Sequence, residues 1–145
     1  MKNILLATTG TSQCRKAEDY ALEYCLHHGA TLRIIHVVEP QLDHYGLVDS
    51  LATETDRHDF IDHTRKLEMP SIQERLERIL NQAKALGIKY ELYIQWDAPL
   101  YSIVKQARKE NVELLVIGGR EKRFNPFSLA MSLTRKAPCQ VKQVY

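Results

Sequence analysis

The sequence predicts an α/β protein, with a five-stranded parallel sheet and helices on both faces, built from one domain over residues 1–145. Three observations carry this. Short apolar runs alternate with stretches of helical periodicity in the order β-α-β-α-β-α-β-α-β, the pattern of right-handed βαβ crossovers. The run VELLVIG (112–118) is apolar at nearly every position, as a strand covered on both faces must be. Glycine, proline and asparagine punctuate the junctions.

KNILLAT (2–8) is a buried-strand signature closed by the turn Thr9-Gly10-Thr11-Ser12. Ser12 is placed to cap the next helix, in which Cys14, Ala17, Ala21, Tyr24 and Cys25 recur at helical spacing. Gly29 stands where a left-handed C-cap belongs. TLRIIHVV (31–38) is the second strand, stopped by Pro40; His36 within it is expected to be packed and hydrogen-bonded. The second helix is expected to open at Pro70, whose missing N–H needs no partner in a first turn. Ile72, Leu76, Ile79, Leu80 and Ala83 are its buried stripe, and Gly87 ends it. The long connection 39–69 should hold some helix of its own, around Asp56 to Lys66. IKYELYIQW (88–96) is the third strand; Asp97 is expected to cap a helix with Leu100, Ile103, Val104 and Ala107 inward. After VELLVIG, Asn125-Pro126 opens a last helix of about ten residues, and QVKQVY (140–145) closes the chain as the fifth strand.

Composition limits the function classes. Hydrophobic residues make up 44% and charged residues 26%, an ordinary globular balance. A net charge of +2 gives no basic excess that would point to nucleic acid. No apolar run is long enough to span a bilayer, and no signal-peptide pattern opens the chain. Cys14, Cys25 and Cys139 match no metal spacing. Cys14 and Cys25 fall eleven residues apart on one helix, about 16 Å, too far to bridge. All three are expected to be reduced packing residues in a cytoplasmic protein.

In an open parallel sheet, ligands bind beyond the carboxyl ends of the strands at the switch in strand order. The segments expected there are Thr8–Ser12 and Gly118–Arg123. Neither is a G-x-G-x-x-G or Walker A loop, and Gly10, Gly118 and Gly119 also suit simple tight turns.

The ordered set KNILLATTGTS, HVVEP, APLYSIVKQA, ELLVIGGR and KAPCQVKQV resembles the universal stress protein family over nearly the whole chain. The resemblance implies a flavodoxin-like (adenine-nucleotide-hydrolase-like) sheet of order 3-2-1-4-5. It also implies a homodimer, often through the last strand, and a stress-survival role without settled catalytic chemistry. Some members bind ATP through an Asp after the first strand and, after the fourth, glycines at set spacing followed by Gly and Ser or Thr. Laid on this chain, the Asp position is Thr9; Gly118 and Ser132 are kept; the other two glycines fall on Glu121 and Met131. Side chains at glycine positions hinder close backbone approach to phosphate. Glu121 adds like charge, costing on the order of 3 kcal/mol for a pair about 5 Å apart at an effective dielectric near 20. The nucleotide-site candidates by this resemblance are Thr8, Thr9, Gly10, Val37, Val38, Gly118, Arg120 and Ser132, with Lys122 and Arg123 as further basic residues of the turn.

The leading expectation is therefore a non-catalytic, dimeric stress-response protein that acts through a protein partner and binds ATP weakly or not at all, with no cofactor. One alternative is an ATP- or AMP-binding sensor with a rebuilt phosphate loop. A second is metal binding through His44, His58, Asp59, Asp62 and His63, where imidazole and carboxylate pairs four residues apart suit zinc or nickel. Two enzyme readings fail on pattern. TTGTSQ lacks the second glycine and the Asp of an S-G-G-x-D-S pyrophosphatase loop. His27-His28-Gly29 ends a helix, where histidines favour the dipole, instead of opening one as an H-I-G-H box does. Val141 and Val144 mark the last strand as the expected dimer edge.

Overall fold

The computed structural model describes residues 2–38, 54–118 and 129–144, with only the helical backbone of 54–68. β1 (Asn3–Ala7) leads through a 3₁₀ turn (Ser12–Cys14) into α1 (Arg15–His28), then β2 (Thr31–Val37). After β2 come α2 (Glu54–Ala85), β3 (Tyr90–Gln95), α3 (Pro99–Lys109), β4 (Leu114–Gly118), α4 (Leu129–Lys136) and β5 (Gln140–Val144). The five strands form one parallel sheet of order β3-β2-β1-β4-β5. This is the expected topology, and it puts the switch in strand order between β1 and β4.

The side-chain period of a strand explains why the central strands are apolar at consecutive positions. Ile4, Leu6, Leu32, Ile34, Leu114 and Val116 point to one face, where Ala17, Ala21 and Cys25 of α1 and Ile79 and Ala83 of α2 cover them. Leu5, Ile35, Leu115 and Ile117 point to the other, against Ile103 and Ala107 of α3 and Leu133 of α4. Leu5, Leu6, Ile34, Ile35 and Leu115 are fully buried, each worth roughly 1.5–3 kcal/mol relative to exposure. Two core layers thus sandwich the sheet.

Three local expectations are corrected. Pro70 lies inside α2 instead of opening it. The charged stretch 54–69 carries no apolar stripe that periodicity could detect, yet the helix runs through it, including the Asp56–Lys66 segment expected to be helical. Pro70 removes one ladder bond, a cost on the order of 3 kcal/mol in a helix interior, against which stands the stripe Ile72, Leu76, Ile79 and Ala83, all buried. Ser12 is not the N-cap of α1: Thr11 precedes the 3₁₀ turn, Cys14 caps α1, and neither makes a side-chain capping bond. Ala98 is the N-cap of α3, with Pro99 at its first position. Asp97 instead accepts the Ala98 N–H at 2.7 Å through Oδ1. The last helix is described from Leu129, and Asn125-Pro126 lies outside the described residues. Gly29 ends α1 as expected, at φ 64°.

Candidate functional site

The carboxyl ends of β2, β1 and β4 lie side by side, so Val37 and Val38, Thr8 to Gly10, and Gly118 share one rim of the sheet. Thr8, one residue beyond β1, is pinned from three directions. Its N–H donates to the Ile35 carbonyl at 3.1 Å. Its carbonyl lies 2.9 Å from His36 Nδ1; a carbonyl only accepts, so Nδ1 carries the proton. Its hydroxyl donates to Glu18 Oε2 at 2.8 Å and accepts the Gly10 N–H at 3.0 Å.

Glu18 is 2% exposed, a carboxylate under the β1 loop. Arg78 of α2 reaches it with Nη1 at 2.9 Å. Burial pushes the Glu18 pKa up, and the Thr8 hydroxyl and the Arg78 charge pull against that rise. His36 is buried too. Burial and the nearby Arg75 charge hold its pKa below the ordinary value, outweighing the bond to Thr8, so the imidazole is neutral near pH 7.

The exposed part of the loop is closed on itself. Thr9 Oγ1 lies 2.7 Å from Thr11 Oγ1 and 3.4 Å from Cys14 Sγ. Gly10 has φ +73°, and a Cβ there would stand 2.4 Å from the Arg75 carbonyl oxygen. A Cβ on Gly118 would stand 3.1 Å from both Cα and Sγ of Cys14. Both glycines therefore let the chain pack tightly, Gly10 against α2 and Gly118 against the entry to α1. Val37 and Val38 are half-buried, and the Val38 N–H donates to the Gln95 carbonyl at 2.8 Å.

Ser132 and Met131 are half-buried in α4, on the β4–β5 half of the sheet. Arg120, Glu121, Lys122 and Arg123 lie outside the described residues, as does His44. The backbone at His58, Asp59, Asp62 and His63 is helical, so their four-residue spacing falls on a helix, but their side chains lie outside what is described. Among the described residues no three His, Cys, Asp or Glu side chains gather for a metal. Val141 and Val144 are half-buried and point into opposite core layers of their own chain, on the edge strand β5.

Glu18 and Arg78 escaped the sequence reading. A signal was present: Glu18 is four residues after Cys14 and three before Ala21, an acid on the buried stripe of α1.

The family model described as "Universal stress protein family" matches residues 1–142. A Thermus aquaticus protein, "Universal stress protein in QAH/OAS sulfhydrylase 3'region", is 30% identical over 122 residues, covering 82% of this chain and 77% of its own. Among solved structures, a universal stress protein in complex with cAMP matches at TM-score 0.70 and 19% identity, over 99% of this chain and 96% of that one. The Archaeoglobus fulgidus universal stress protein in complex with dAMP matches at TM-score 0.66 and 18% identity, over 100% and 98%. At such identities the structures speak for the fold; the family match over nearly the whole sequence says more, and this chain belongs to the universal stress protein family.

Proposed function

We propose that this protein is a non-catalytic stress-response protein, working as a homodimer in the cytoplasm through a protein partner and binding ATP weakly or not at all. One observation carries the nucleotide part: the groups that would meet a ligand at the β1 loop are already engaged. The Thr8 hydroxyl is bonded to buried Glu18, and the Thr9 hydroxyl, where ATP-binding relatives would place an Asp, is turned to Thr11 and Cys14. Glu121 and Met131, in place of two glycines, support the same reading from the sequence. The homodimer part rests on β5 being a sheet edge.

A second reading is favoured by the relatives described in complex with cAMP and dAMP. In it the protein is a nucleotide sensor for monophosphates, whose single phosphate suffers less from Glu121 than a triphosphate does.

Titration calorimetry of the purified protein with ATP, AMP and cAMP separates the two. The first reading expects no saturable heat for any of them below about millimolar ligand, where binding is worth only about 4 kcal/mol. Binding of AMP or cAMP at least about tenfold tighter than ATP supports the sensor. ATP carried through purification overturns the first reading.

A further inference from the structure

The two faces of the sheet carry surface grooves of opposite charge, and the geometry points to a salt-sensitive, head-to-tail contact in which the α3/α4 groove of one copy seats the α1/α2 face of the next. The first groove holds about 570 Å³ beside α3. Leu100 and Val104 are its apolar floor, Tyr101 stands at its side 58% exposed, and Lys105, Arg108 and Lys136 supply three cations. The Lys105 ammonium lies over the Tyr101 ring, 5.6 Å from its centroid. The second groove, about 390 Å³, runs between α1 and α2. Leu26 and Leu86 stand 53% and 47% exposed there, and Asp19 and Glu23 supply two anions.

The two grooves match in chemistry. On α3, the cations Lys105 and Arg108 are three residues apart beside Leu100 and Val104; on α1, the anions Asp19 and Glu23 are four apart beside the exposed Leu26. Residues three or four apart lie about 5–6 Å from each other on one helix face, so the two cations of α3 and the two anions of α1 each form a paired charge beside exposed or half-buried apolar side chains. The local partners of the anions are weak competitors. Glu23 meets His27 at 3.7 Å and Asp19 meets Arg78 at 3.4 Å, with all four side chains substantially exposed.

One copy cannot join its own two grooves, because α1 and α2 cover one face of the sheet and α3 and α4 the other. The contact is therefore heterologous and propagates from copy to copy. It is also small. Grooves lined by six and seven residues fall well short of the roughly 20–30 residues a side of a standard interface, so the association is weak and concentration-dependent. The proposal does not depend on whether nucleotide binds.

Sedimentation velocity of the full chain over a concentration series tests it. The unmutated protein should show a sedimentation coefficient that rises with concentration at low salt, the association weakening at least about tenfold as exposed charges are screened at 0.5 M salt. Lys105→Glu/Arg108→Glu and Asp19→Asn/Glu23→Lys should each abolish the rise, with circular dichroism showing both folded. Mixing the two variants should restore it, since the reversed groove of one then meets the reversed helix of the other. A coefficient independent of concentration, a rise that survives either pair of substitutions, or a mixture that fails to recover overturns the proposal. An edge-strand dimer does not mimic these results, because it involves neither groove.

Discussion

The hydroxyl of Thr8 donates to Glu18 Oε2 at 2.8 Å, tying the end of β1 to a carboxylate buried on α1. This bond joins the rim of the sheet to the layer beneath it. Glu18 is in turn held by Arg78 of α2, so three elements meet at one carboxylate.

Glu18 gives a pH dependence with a definite sign. Its folded pKa lies above its ordinary value of 4.5. Between those two values the folded state binds more protons than the unfolded state, so this group's contribution to stability falls as pH rises. Glu18→Gln removes that contribution. Urea denaturation should show the variant gaining on the unmutated protein between pH 4.5 and pH 7; a difference that is constant or moves the other way would contradict the raised value.

His36 has the opposite slope. Its folded pKa lies below 6.5, so its contribution to stability is present above 6.5 and is lost as pH falls towards the folded value. An NMR titration should place the His36 imidazole below 6.5. His36→Asn should flatten the acid limb of the stability profile in that window.

The left-handed glycines differ in what surrounds them. Gly29→Ala, at φ +64° with nothing within 4 Å, should cost only the conformational penalty of about 1–2 kcal/mol. Gly10→Ala carries the same penalty and in addition drives a methyl to 2.4 Å from the Arg75 carbonyl. Its loss of stability in urea should clearly exceed that of Gly29→Ala. Equal costs would mean that the loop does not pack on α2.

The cysteines should differ in reactivity. Cys25 is buried, and burial pushes its thiol up to about 12. Cys139 is half-buried, with its pKa raised by burial and partly restored by a backbone bond to Leu115. A thiol reagent on the native protein should label Cys139 first and Cys25 only on unfolding. Fast labelling of Cys25 would contradict its place in the core.

The edge strand offers a paired test of the homodimer. Val141 and Val144 have opposite parity on β5, so one N–H faces β4 and the other faces outward. Proline at the outward position removes a donor from the exposed edge alone and should convert a dimer to a monomer in light scattering. Proline at the other should chiefly lower stability. An unmutated protein that scatters as a monomer would end the edge-strand proposal.

The sequence by itself determined the sheet. Apolar runs such as ILL and LLVI, short and closed by glycine-containing turns, read as strands buried on both faces, and the alternation with the Ala17/Ala21 and Ile72/Leu76 stripes points to a parallel α/β order. The family resemblance supplied the strand order that the structure shows. Local chemistry was read less well, because caps and helix starts are settled by neighbours distant in sequence. Pro70 looked like a beginning, since proline suits a first turn, and only the packing of α2 on the sheet shows the helix continuing through it. Asp97 and Ser12 looked like caps, since both types cap helices, but Ser12 lies inside the 3₁₀ turn and Ala98 has the extended cap backbone, so those places fall to Cys14 and Ala98. The Thr8–Glu18–Arg78 cluster belongs to tertiary structure in the same way. Thr8 and Arg78 are seventy positions apart in the sequence, and a buried carboxylate is tolerable only where the fold delivers a hydroxyl and a guanidinium to it.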